Sequence, residues 1–73
     1  MHVKSAVAQR IRNLCVERNI SINALAKLSN VSPSTIYSML NEKSQNPGIV
    51  SIEMLCRGLD LSVKDFYNSS LFG

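Results

Sequence analysis

Ile20-Ser21 with Leu25, Val31-Ser32 with Ile36 and Leu61-Ser62 with Phe66 are three copies of one device. In each, a serine hydroxyl is placed to accept from an amide left without a partner in a first helical turn. The aliphatic residue before the serine packs on the apolar residue four places after it, which fixes the angle at which the chain enters the helix. Three helix starts are therefore set by local chemistry alone. Apolar spacing fills in the bodies. Val7, Ile11, Leu14 and Cys15 make one stripe, which predicts a helix over about Ser5–Arg18, closed by Asn19, a residue that tolerates the left-handed conformation. Arg10, Arg12, Glu17 and Arg18 fall off that stripe and read as solvated charges.

Helix two follows over Ile22–Ser29, with Leu25, Ala26 and Leu28 facing inward, and helix three over Pro33–Asn41, with Ile36, Met39 and Leu40 buried. Pro33 suits a first helical turn, where its missing N–H is not needed. Residues 42–48 form a polar loop, and Ile49, Ile52, Leu55, Cys56 and Leu59 mark helix four, with Gly58 weakening its end. Asp65 puts an acid in the first turn of helix five, where the helix dipole favours it. The tail from Asn68 reads as loose. No stretch alternates long enough to make a strand. The fold class expected is all-α, five helices in a single domain over 1–73, with its core at about 5–67.

A chain of 73 residues has no room for a sizeable pocket. It holds one histidine, near the N-terminus, five scattered acids and no glycine-rich phosphate loop, which together argue against an enzyme and against a cofactor or metal site. Cys15 and Cys56 sit at helical spacing among apolar residues and read as buried thiols, with a disulfide between them left open. No apolar run is long enough for a membrane span, and Met1-His2-Val3-Lys4 does not begin a signal peptide, so a cytoplasmic protein without a membrane partner is expected. The net charge of +3 fits a polyanionic partner without requiring one.

The joint between helices two and three carries the functional information. Asn30 and its immediate neighbours are all that separates them, so the helices must cross steeply. Ala26 is small enough to allow the close approach, and Asn30 can turn the chain. Here the stretch from Ile22 to Met39 resembles the helix-turn-helix family of phage repressors and Cro proteins, the lambda repressor-like or XRE group. The family pattern asks for alanine at Ala26 and aliphatic residues at Ile36 and Met39. It usually has glycine where this chain has Asn30. Asn46-Pro47-Gly48 and Leu59-Asp60-Leu61-Ser62 also resemble the family's loop and its joint between the fourth and fifth helices.

The resemblance implies a transcriptional regulator of repressor type that binds double-stranded DNA, with helix three in the major groove. Helix three would then present Pro33, Ser34, Tyr37 and Ser38 to base edges. Ser21, Ser32, Asn41 and Lys43 would hold phosphates. Each assignment has a plainer counterpart. Ser21 and Ser32 are caps first, Tyr37 can fold back onto the core rim, and Lys43 can be a solvated loop lysine. The face carries hydroxyls, Thr35 among them, and lacks the arginine or glutamine that reads bases most strongly. A homodimer on two half-sites would compensate for the few contacts one copy makes, with Phe66, Tyr67, Leu71 and Phe72 as the expected interface. The alternative is a protein-interaction module, an antitoxin or antirepressor that turns the same surface to a protein.

Overall fold

Three left-handed residues, Asn19, Asn30 and Asp60, with φ of 55°, 56° and 54°, end three helices of this protein. The computed structural model describes residues 3–41 and 48–72. Among them the chain forms α1 (Val3–Arg18), α2 (Ile22–Ser29), α3 (Pro33–Leu40), α4 (Ile49–Gly58), α5 (Val63–Tyr67) and a single turn of 3-10 helix at Ser70–Phe72. No strand occurs among the described residues, so the all-α expectation holds.

The joints explain why so short a chain turns so often. After each left-handed residue, the next amide reaches back to close the preceding helix. Ile20 N–H donates to the Cys15 carbonyl (3.0 Å), Val31 N–H to Ala26 (3.1 Å) and Leu61 N–H to Cys56 (2.8 Å), the pattern of a helix end closed by a left-handed residue. The same three residues, Ile20, Val31 and Leu61, lie partly buried against the core. The serine after each then caps the next helix: Ser21 Oγ accepts from Ala24 N–H at 3.0 Å, Ser32 from Thr35 at 3.3 Å and Ser62 from Asp65 at 3.0 Å. One aliphatic residue thus serves both the helix that ends and the helix that begins. The chain turns within three residues, with capping bonds on both sides of each joint.

The core gathers Val7, Ile11, Leu14, Leu25, Ala26, Ile36, Met39, Ile52, Leu55, Leu59 and Phe66, together with the two cysteines. α1 packs on α3 and on the 3-10 turn, α2 packs on both α3 and α4, and α4 packs on α5. Cys15 and Cys56 are free and buried. Burial pushes both thiols above their ordinary value of 9.0, and at Cys56 the nearby Arg10 guanidinium opposes the shift while Glu53 adds to it.

Four readings are corrected by the packing. Leu28 is 57% exposed, and Ser29 is the buried residue in its place. The reason lies across the interface at Gly58. A Cβ there would come within 2.8 Å of Ser29 Cα and 2.9 Å of the Leu28 carbonyl carbon, so the two backbones touch and leave room for nothing larger than serine. Gly58 is thus a point of close backbone approach between α4 and α2, and its cost in helix propensity is offset by that packing. α3 stops at Leu40, with Asn41 as its cap, extended and donating to the Ser38 carbonyl at 3.2 Å. The tail is also ordered. Phe72 sits edge-on to Tyr67 with ring centroids 4.8 Å apart, and Tyr67 sits edge-on to Phe66 at 5.1 Å. Finally, two of the arginines of α1 are part of the framework. Arg10 donates to the carbonyls of Phe66 (2.8 Å) and Asp65 (3.0 Å), and Arg18 to that of Leu59 (2.6 Å). Each thereby meets carbonyl oxygens at the C-terminal end of a helix, where a cation is favoured.

Candidate nucleic-acid interface

The crossing of α2 and α3 places the second helix so that one face is buried and the other stands clear. Ile36 is fully buried, Met39 nearly so, and Leu40 is half-buried against the core. Ala26, at 1% exposure, gives α3 the close approach that the short joint requires. What remains outward is Pro33, Ser34, Tyr37 and Ser38, all exposed, with Asn41 exposed just beyond the helix end. Ser34 and Ser38 are one turn apart and therefore share a face. Tyr37 is 54% exposed, so its ring is not folded away into the core. The helix itself carries no acidic side chain.

Hydroxyls dominate the N-terminal end of this face. Ser32 Oγ lies 3.0 Å from Ser34 Oγ and 2.9 Å from Thr35 Oγ1, while also accepting from the Thr35 amide. A hydroxyl has two lone pairs and one proton, so such a cluster can rearrange its donors to suit an acceptor or a donor on an approaching ligand. Ser21 is also exposed. Its oxygen is occupied by the Ala24 amide, yet its own O–H remains a donor of the kind a phosphate oxygen accepts.

Ser21, Tyr37 and Asn41 line one open groove of about 690 Å³, together with Arg12, Cys15, Val16, Ile20, Ile22 and Leu40. The groove lies between the end of α1, the start of α2 and the end of α3. Arg12 is the member that the apolar stripe gave no reason to single out. Its Nη2 donates to the Leu40 carbonyl at 3.4 Å, a contact across twenty-eight residues of chain that spacing within α1 does not reveal. Lys43, expected to hold a phosphate, lies outside the described residues.

The four residues expected at a dimer interface separate into two kinds. Phe66 has no exposed surface and belongs wholly to the core, so it offers nothing to a partner. Tyr67, Leu71 and Phe72 are half-buried, and Tyr67 and Phe72 pack against the core. Burial raises the Tyr67 phenol above its ordinary value of 10.0, and the Cys56 sulfur adds to the shift.

Among the described residues no group of histidine, cysteine and acidic side chains is placed to hold a metal ion. No helix among them is long and apolar enough to cross a membrane. Comparison with known families matches residues 10–69 to the Cro/C1-type HTH DNA-binding domain. No curated protein and no solved structure matches the chain.

Proposed function

The chain belongs to the Cro/C1-type helix-turn-helix DNA-binding family, and on that premise we propose that it is a sequence-specific transcriptional regulator of repressor type that reads the major groove with α3. The carrying observation is the outward face of that helix. Pro33, Ser34, Tyr37 and Ser38 stand exposed on a helix whose other face is locked into the core. A helix of this width fits the major groove, and its first turns enter deepest. Ser34 and Ser38 read base edges through their hydroxyls, and Pro33 offers apolar contact to a thymine methyl. Ser21, Ser32, Asn41 and Lys43 hold the backbone on either side.

Serine pairs with several bases, so direct readout by this face is weak. Part of the specificity comes from DNA shape and bridging water. One copy binding alone would hold DNA only at roughly 10⁻⁴–10⁻⁶ M, the range of non-specific association. The protein acts as a homodimer on two half-sites about one helical turn apart. With Phe66 withdrawn into the core, the proposed interface narrows to Tyr67, Leu71 and Phe72.

Footprinting on a genomic fragment retained in a low-salt gel shift tests the reading. Two protected half-sites in a near-palindrome are expected. Protection of a single half-site contradicts the dimer. Failure to retain any duplex, with capture of a protein in its place, favours the interaction module instead.

A further inference from the structure

We infer that Arg12 is a DNA-contact residue, its guanidinium held at the C-terminal end of α3 to engage a backbone phosphate beside the reading helix. The inference rests on the DNA reading above and adds a residue to it. α3 has no basic side chain in its last turn, and its C-terminal carbonyls carry partial negative charge. Those carbonyls by themselves disfavour a phosphate. Arg12 reaches it from α1 and donates to the Leu40 carbonyl, which sets positive charge where the helix would otherwise present negative. It lines the same groove as Ser21, Tyr37 and Asn41.

The other described arginines are committed elsewhere. Arg10 spends two short bonds on the end of α5, and Arg18 one of 2.6 Å on the Leu59 carbonyl. Arg57 pairs with Glu53 at 2.6 Å. Arg12 is exposed, makes no ion pair among the described residues, and holds its carbonyl by one long bond. A guanidinium has five N–H groups in a planar fork, so one bond to a carbonyl leaves the geometry that suits a phosphate.

The test measures binding of the parent chain, Arg12→Gln, Arg12→Lys and Lys64→Gln to a labelled random-sequence duplex across a salt series. Lys64 is exposed on α5 and outside the groove, so its variant controls for net charge alone. Loss of one phosphate contact makes the log–log salt slope shallower by about 0.9 and weakens binding roughly tenfold at 0.1 M salt. Arg12→Gln is expected to show both changes, Arg12→Lys to recover the slope, and Lys64→Gln to match the parent. An Arg12→Gln slope equal to the parent's, or the same loss in Lys64→Gln, overturns the assignment. Modification of the parent by a dicarbonyl reagent, read by mass spectrometry with and without duplex, settles the case should Arg12→Gln melt below the assay temperature. DNA should protect Arg12 and leave Arg57 reactive, and equal modification of Arg12 in both samples contradicts the role. A parent that binds no duplex overturns the DNA reading itself, and Arg12 with it.

Discussion

Gly58 shows how a single residue can be misjudged from its type alone. Helix propensity makes alanine better than glycine in a helix by about 1 kcal/mol. The close approach to Ser29 and Leu28 is backbone against backbone, and overpacking of that kind costs about 1–3 kcal/mol. The second effect wins, so Gly58→Ala should lower stability in urea unfolding despite its better propensity. Unchanged or increased stability would mean that α2 and α4 are not this close. The neighbouring Ser29 gives the opposite sign. Its hydroxyl is buried without a hydrogen-bond partner among the described residues, and such a group carries a desolvation cost. Ser29→Ala should therefore be neutral or stabilise by about 1 kcal/mol, and a clear loss in the same assay would reveal a partner. Ala26→Leu, at the crossing, should cost about 1–3 kcal/mol, and a melting temperature within a degree of the parent's would move the crossing elsewhere. Periodicity alone did not separate Leu28 from Ser29, because both lie at spacings that continue the stripe of Leu25 and Ala26. Which one turns inward is decided by the partner helix, where Gly58 meets Ser29.

At the level of the element, the joints were legible because their chemistry is local. The helix starts at Ser21, Ser32 and Ser62 follow from residues within five positions of one another, and the structure places all three as caps. Asn19 and Asn30 could be read as helix ends for the same reason. What was not legible depends on contacts distant in sequence. The carbonyls that Arg10, Arg12 and Arg18 reach, and the aromatic packing that orders Phe72, are set by how the helices assemble. The three caps also separate structure from function. Ser21→Ala, Ser32→Ala and Ser62→Ala should each lose about 1 kcal/mol in stability. DNA affinity, measured where all three remain folded, should fall for Ser21→Ala and Ser32→Ala and stay at the parent level for Ser62→Ala. Equal affinity across the three would reduce Ser21 and Ser32 to caps alone.

At the scale of the whole molecule, the buried thiols and phenol tie stability to pH. Cys15, Cys56 and Tyr67 all titrate above their ordinary values because the fold buries them, so the folded protein holds these protons more tightly than the unfolded chain. Their contribution is fully present below the unfolded values and is lost as pH rises through the folded ones. The melting temperature should be flat through neutral pH and decline above about pH 9, with Cys56→Ser removing part of the decline. A melting temperature still rising there would contradict the burial of these groups. On the proposed function, the exposed face of α3 reads base edges while its surroundings hold the backbone. Selection of bound sites from a random DNA pool, run with the parent, Ser34→Ala, Ser38→Ala and Lys43→Ala, tests it most directly. Each serine variant should change the preferred base at one position per half-site, at about 1 kcal/mol. Lys43→Ala should select the parent's site and bind all sequences more weakly. Serine variants that select the parent's site unchanged, with Lys43→Ala selecting a different one, would contradict it.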